Sequence, residues 1–179
     1  VGTPPEPKTG NPDLTAVLAV TDAVVDSVDG FTVLVTKSTV PVGTAKRIES
    51  RIAGRRADAD IAVASNPEFL REGAAVHDFL EAERIVVGTR DRRALELLKR
   101  AYAPLIEKGS AFVATTPETS ELVKHASNAF LSTKIAFINE LARLCEKVEA
   151  DVVMVAHGMG LDRRIGPDFL NPGPGYGGS

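Results

Sequence analysis

Apolar positions along the chain fall into two rhythms, and their alternation predicts the elements. Between Asp13 and Val28 the residues Leu14, Val17, Leu18, Val24, Val25 and Val28 recur at helical spacing after a polar start. Phe31–Thr36, FTVLVT, follows Asp29-Gly30 as a β-branched run and reads as a buried strand. A helix is expected from about Thr44 to Ala53, and a second short strand over Ile61–Ala64. Asn66–Gly73 reads as a loop or a helix start. A third strand is expected over Arg84–Gly88, a helix over Asp91–Tyr102 and a fourth strand over Ser110–Thr115. Val1–Asn11 is rich in Pro and Gly and reads as loop. Strands alternating with helices imply an α/β fold with a mostly parallel sheet.

The longest periodic stretch runs from Glu118 to Glu149 without a Gly or a Pro. Thr116 can cap it, Pro117 fits its first position, and Glu118 sets negative charge at the positive end of the dipole. As one helix it would be about 48 Å long. Leu122, Ala126, Ala129, Phe130, Thr133, Phe137, Leu141, Leu144 and Val148 recur along it at helical spacing. A helix of this length is expected to run through or between domains, or to pack on a second subunit. A short apolar helix, Asp151–His157, is expected to end at Gly158.

Composition narrows the class. The hydrophobic share is 44 % and the charged share 25 % over 179 residues, ordinary for a globular protein. A net charge of −3 gives no reason to expect nucleic acid or an anionic membrane as partner. No stretch is apolar enough to read as a membrane span, and no signal peptide is visible. The single cysteine, Cys145, excludes an intrachain disulfide and a cysteine zinc cluster, and suits a cytoplasmic setting. It lies among apolar neighbours in the long helix and is expected to be a core thiol. His77, His125 and His157 show no metal-ligand spacing. The two ends, VGTPPEP and GPGYGGS, read as parts of a longer protein.

In open α/β sheets, ligands bind beyond the carboxyl ends of strands, so the loops after the strands carry the interest. Lys37–Thr44, KSTVPVGT, places two hydroxyls after the first strand; it also reads as a plain strand-to-helix turn capped by Thr44. Ser65–Gly73, SNPEFLREG, follows the second strand. Glu68 and Glu72, four apart, would share one face of a helical turn, either as a working carboxylate pair or as the acidic start of a helix. Lys124 and Asn128 are likewise four apart on the long helix. They could hold an oxygen anion, though such a pair is also common on a solvated helix face. Gly173–Gly178 formally matches G-x-G-x-x-G, but no strand precedes it and no helix follows it. It reads as a loop whose backbone can approach a ligand closely.

KSTVPVGT, SNPEFLREG, ELVKHASNAFLSTKIAFINE, and LDRRIG followed by NPGPGYGGS resemble, in this order, the UDP-glucose 6-dehydrogenase family of nucleotide-sugar dehydrogenases. The resemblance extends to the VGTPP start. It implies the C-terminal part of a Rossmann-like, doubly wound parallel sheet, followed by a long central helix used in homodimerisation. Residues 1–115 would be a partial NAD-binding domain, and residues 116–179 the central helix and the start of the sugar-nucleotide region. It also implies NAD as cofactor, a UDP-sugar as substrate, and four-electron oxidation of the sugar C6 alcohol to a carboxylate.

By the same resemblance, Thr39 lies by the nicotinamide and helps hold a water, Glu68 serves in hydrolysis of a thioester, and Glu72 contacts the cofactor. Lys124 and Asn128 would stabilise the oxygen of the reacting carbon. Thr3, Pro4 and Ser38 would line the cofactor site. Glu68, Phe69, Leu70, Arg71 and Glu72 would form a substrate-binding segment. Asn171, Gly173, Gly175, Tyr176 and Gly177 would wrap the sugar and phosphates, and Arg164 would reach the sugar nucleotide from a neighbouring subunit. Cys145 does not match the family's nucleophile, which is expected beyond Ser179, and the Gly-rich cofactor fingerprint is expected upstream of Val1. The segment alone is therefore expected to be inactive. Related readings are a dehydrogenase of GDP-mannose or of a UDP-N-acetylhexosamine, and a non-catalytic dimerisation or binding fragment.

Overall fold

The computed structural model describes residues 1–6, 10 and 12–176. Its elements are α1 (Thr15–Ser27), β1 (Thr32–Thr36), α2 (Thr44–Arg55), β2 (Ile61–Ser65), α3 (Ala75–Leu80), β3 (Arg84–Thr89), α4 (Arg92–Ala101), α5 (Ala103–Glu107), β4 (Ala111–Thr115), α6 (Pro117–Val148) and α7 (Val152–Gly160). The chain forms two compact units, Val1–Lys124 and His125–Ser179. Helix α6 contributes its first turns to one and the rest to the other.

In the first unit the four strands lie in chain order, β1-β2-β3-β4. β1 pairs with β2 in parallel and β3 with β4 in parallel, whereas β2 meets β3 antiparallel through Ala64–Thr89 and Ser65–Gly88. The reason lies in the connection between them. A parallel return needs a crossover packed on the sheet, usually a helix. Residues 66–83 carry only the six-residue α3, and none of its residues is buried. The reversal lets the chain after β2 run on beside the first half of β3. There the Asn66 side-chain amide donates to the Val86 carbonyl at 2.8 Å.

Two apolar clusters hold this unit. Val17 and Val25 of α1 meet Ile48 and Ile52 of α2 and Val63 of β2. Ile85 and Val87 of β3 pack with Leu105 of α5, and with partly buried Leu95 and Leu98 of α4. The start of α6 rests directly on β3. A Cβ added at Gly88 would lie 2.4 Å from the Thr116 carbonyl oxygen and 2.7 Å from the Pro117 Cα, so only glycine admits the helix this close.

The long helix is a 32-residue α6, capped by Thr116, whose hydroxyl accepts from the Thr119 N–H at 3.3 Å. It ends where Glu149 turns left-handed (φ 56°) and the Ala150 N–H returns to the Cys145 carbonyl at 3.0 Å. In the second unit, Ile138 of α6, Ala156 of α7 and Leu170 form a small core, with Leu141 partly buried against it. Cys145 is buried and free. Phe130, Phe137 and Leu144 are exposed. Leu141 thus departs from the stripe it was grouped with. α7 runs through Gly158 to Gly160, because its Asp151 cap and its packing through Ala156 outweigh the modest cost of one interior glycine. Among the described residues, no helix is long and apolar enough to cross a membrane.

Candidate active site

Three stretches far apart in the chain converge in the first unit: residues 37–43 after β1, residues 66–71 after β2, and the first turns of α6. Three side chains of one α6 turn fasten them together. The Ser120 hydroxyl donates to the Ser65 carbonyl at 3.1 Å. The Glu121 carboxylate accepts from the Gly43 N–H at 2.6 Å and the Ala45 N–H at 2.8 Å. Lys124 Nζ lies 3.3 Å from Glu68 Oε1.

Lys124 is only 7 % exposed, so the solvated-face reading does not hold for it. Its ammonium also faces the Phe69 ring, 5.3 Å from the centroid, with the Arg84 guanidinium 4.3 Å from the same ring. Glu68 is oriented by its second oxygen, which accepts from the Leu70 N–H at 2.7 Å. Residues 66–71 are irregular, and Glu72 is exposed in a turn before Gly73 (φ +81°). Glu68 and Glu72 therefore share no helical face, and the acidic residues do not open a helix. Pro67 disfavours helical backbone at Asn66, and α3 starts only at Ala75. Arg71 instead grips Asp78 of α3 through its backbone N–H and its guanidinium, with contacts of 2.6–2.9 Å. That guanidinium, with the backbone N–H, holds the Asp78 carboxyl well below the usual range.

The expected cofactor residues Thr3, Ser38 and Thr39 come together. Thr3 donates to the Thr39 carbonyl at 2.9 Å, and Ser38 donates to the Val1 carbonyl at 2.5 Å. Pro4 follows, its carbonyl accepting from the Asp13 N–H at 2.8 Å. This polar edge of small residues lies at the carboxyl end of β1, where a dinucleotide approaches an α/β sheet. Its residue types fit such a group, and Thr3, Pro4, Ser38 and Thr39 are the ones that would hold it. Thr44 is not the cap of α2. Gly43 occupies that position with φ +95°, and the Thr44 hydroxyl turns back to the Pro41 carbonyl at 2.7 Å.

The remaining expected residues belong to the second unit. Asn128 lies one turn beyond Lys124 on α6 and is half-buried. Arg164 is exposed and forms a fork with Asp162 at 2.6–3.2 Å. Asn171, Gly173 and Gly175 are exposed, Tyr176 is half-buried, and the Gly173 N–H donates to Asn139 at 2.8 Å. Gly177 lies outside the described residues. Among the described residues, no three His, Cys, Asp or Glu side chains gather as a metal site would need.

Sequence reasoning singled out no role for four further residues. Glu121 is 2 % exposed, and burial pushes its carboxyl above the ordinary value against the pull of the Gly43 and Ala45 N–H groups. Asn66 is buried and accepts from Lys37 Nζ at 3.0 Å and the Tyr102 hydroxyl at 2.5 Å, which anchors the start of the Glu68 loop.

Comparison with known proteins places these features in one family. Residues 1–106 match the model of the UDP-glucose/GDP-mannose dehydrogenase family, NAD binding domain, and residues 118–179 match the family's central domain. A UDP-glucose 6-dehydrogenase of Rhizobium meliloti is 54 % identical over the whole of this chain, which corresponds to 41 % of that protein. The solved UDP-glucose dehydrogenase of the hyperthermophilic archaeon Pyrobaculum islandicum superposes with a TM-score of 0.93 at 40 % identity, over 100 % of this chain and 41 % of that one. GDP-mannose dehydrogenase of Pseudomonas aeruginosa gives 0.84 at 27 % identity, over 97 % and 41 %. The chain thus spans about two-fifths of the length of the curated UDP-glucose 6-dehydrogenases it matches. Its α/β sheet and long helix are those of this Rossmann-like fold, and the chain belongs to the UDP-glucose/GDP-mannose dehydrogenase family.

Proposed function

We propose that the protein oxidises the C6 alcohol of UDP-glucose to the carboxylate of UDP-glucuronate, with NAD. The observation that carries this is the buried Lys124 ammonium held against Glu68, at the carboxyl ends of β1 and β2. When bound, NAD supplies the hydride acceptor, one molecule for each two-electron step. Alcohol, two NAD⁺ and water become carboxylate, two NADH and three protons.

The chain's own residues supply charge, orientation and a base. The Lys124 ammonium, already desolvated, stabilises negative charge developing on the sugar oxygen, and such an interaction strengthens as water is excluded. Asn128, one turn on along α6, acts as a second, neutral donor. Thr39 positions a water on the cofactor side. Glu68, its side chain 35 % exposed, has one oxygen held by the Leu70 N–H and the other toward Lys124, and takes a proton from the hydrolytic water. The thioester that this water cleaves is not formed on Cys145, which is buried within the second unit. Glu72 and the 1–4 and 38–39 edge serve the cofactor. Phe69, Leu70, Arg71, Arg164, Asn171, Gly173, Gly175, Tyr176 and Gly177 serve the sugar nucleotide. Residues 1–115 act as part of the NAD-binding domain, and residues 116–179 as the dimerisation helix and the start of the sugar-nucleotide region.

UDP-glucose is favoured over GDP-mannose because the 54 %-identical relative is named for UDP-glucose, whereas the GDP-mannose enzyme is 27 % identical. The test is NADH formation by the full-length protein with UDP-glucose, GDP-mannose and UDP-N-acetylmannosamine in parallel. Turnover confined to either of the latter two would overturn the substrate assignment, and no turnover with any of them would overturn the activity.

A further inference from the structure

Glu121 is a carboxylate in an expensive place. It is 2 % exposed, and burying a charge requires compensating hydrogen bonds. The compensation comes from the Gly43 and Ala45 N–H groups, unsatisfied amides at the start of α2 and 76–78 residues away in the chain. No local side chain caps α2. Gly43 closes the Ser38–Gly43 segment that follows β1 and contains Thr39. Glu121 stands one helical turn before Lys124, the residue that holds Glu68.

We propose that Glu121 is a positioning residue: its carboxylate fastens the start of α2, and with it the Thr39 segment, to the α6 turn that carries Lys124. The positioning role, though not the clamp itself, rests on the reading of Thr39 and Lys124 as cofactor- and substrate-side groups respectively, and it gives the buried acid a reason to be there. A neutral side chain of the same shape would satisfy fewer of the α2 amides. Burial pushes the Glu121 carboxyl above its ordinary value, and the Ala45 and Gly43 amides pull against that push. Through this clamp, the segment after β1 and the loop after β2 are both referred to one rigid turn of helix, through Glu121 and Lys124 respectively. Misplacement of reacting groups by about 1 Å can cost on the order of 100-fold in rate.

The test uses the full-length protein with Glu121→Gln and Glu121→Asp. Gln keeps the volume but turns an amide N–H toward one of the α2 amides. Asp keeps the charge but falls short of spanning both. Amide hydrogen exchange at Gly43 and Ala45 should accelerate at least tenfold in both variants, while exchange in the middle of α6 is unchanged. With UDP-glucose and NAD, kcat per folded protomer should fall at least tenfold in Glu121→Gln, with KM for UDP-glucose within threefold, and Glu121→Asp should recover part of it. Unchanged exchange at Gly43 and Ala45 overturns the clamp, whether or not the enzyme turns over. Accelerated exchange with unchanged kcat overturns its positioning role. A wild-type protein inactive on every nucleotide sugar overturns the functional reading instead, and the exchange result still decides the clamp. Should Gln fail to fold, Asp carries the same comparison.

Discussion

Lys124 Nζ stands 3.3 Å from Glu68 Oε1 while only 7 % of the lysine is exposed. The two residues are 56 positions apart in the chain. They meet because β2 turns antiparallel to β3, which lays residues 66–71 beside the sheet and under the start of α6. The pair sets opposite charges against each other at one place, the ammonium and the carboxylate to which the proposed function assigns a developing oxyanion and a water.

Lys124→Ala should lower kcat for UDP-glucose by about 10²- to 10³-fold, as loss of an oxyanion donor does. KM should change little, because the ammonium meets a neutral oxygen in the ground state and a charged one only as reaction proceeds. Asn128→Ala should act in the same direction but less, since a neutral amide makes a weaker hydrogen bond than a charged donor. Steady-state kinetics with separately measured UDP-glucose affinity checks both. A loss confined to affinity would remove Lys124 from the chemistry.

Glu68→Gln should separate oxidation from hydrolysis. In the proposed reaction both hydride transfers precede the hydrolytic step, so they should survive while the water loses its base. A rapid-mixing trace should show a burst approaching two NADH per site, followed by a slow steady rate. A trace without a burst, slowed from the first turnover, would move Glu68 to an earlier step.

The long helix was legible because nothing in it interrupts the pattern, and the strands because their β-branched runs are short and bounded. α3 and α5 were not, since six and five residues carry no periodicity to read. The Glu68–Glu72 face was misread because i,i+4 spacing has meaning only inside a helix, and Pro67 and Gly73 keep that segment irregular. Lys124 illustrates a subtler limit. Its spacing to Asn128 is the same on a wet face as on a dry one, and only its contacts with Glu68 and Phe69 distinguish the two. Glu121 was invisible for the same reason: its partners are two backbone amides far upstream, and amides leave no mark in a sequence.

Gly88→Ala should destabilise the protein by about 1–3 kcal/mol or more, the range for overpacking a tight site. The added Cβ would meet the Thr116 carbonyl oxygen at 2.4 Å, the Ser120 Cβ at 2.6 Å and the Pro117 Cα at 2.7 Å. Two of these are backbone atoms and cannot step aside as a flexible side chain would. Because the helix start would be displaced, UDP-glucose turnover should fall with stability. Denaturant unfolding of both forms measures the first effect, and an unchanged midpoint would mean that α6 does not rest on β3 as described.

Asp91 should make stability depend on acid. It caps α4 by accepting from the Arg93 N–H at 2.7 Å and the Ala94 N–H at 3.3 Å. The Arg93 guanidinium foremost, with those amides, holds its carboxyl below the ordinary value. A depressed carboxyl binds fewer protons folded than unfolded, so its contribution is present above the ordinary value and is lost as pH falls through the lowered one. Asp91→Asn keeps an acceptor at the cap without the charge. Its loss of stability relative to wild type should therefore be largest near neutrality and shrink in acid. Thermal unfolding from pH 7 down to pH 3 checks this, and a pH-independent difference would contradict the linkage.

Phe130, Phe137 and Leu144 recur every seven residues on α6, which is two helical turns, so they form one stripe. The two phenylalanines are 66 % and 50 % exposed, whereas Ile138 and Cys145, each one position further on, are buried. The helix therefore spends one stripe on its own unit and leaves a second apolar stripe uncovered. Contiguous apolar surface of this kind marks an interaction face. Burying one such side chain contributes about 1.5–3 kcal/mol, and a symmetric partner would bury each of them twice. A second copy of the chain is the occupant that the long central helix favours. Phe130→Glu combined with Phe137→Glu places charge where the partner's stripe would lie, so it should weaken self-association by several orders of magnitude without unfolding the unit that Ile138 anchors. Sedimentation equilibrium of the full-length protein and of the double variant reads the effect directly. A wild-type dimer that persists unchanged in the variant would place the subunit interface elsewhere, and a monomeric wild type at high concentration would remove it altogether.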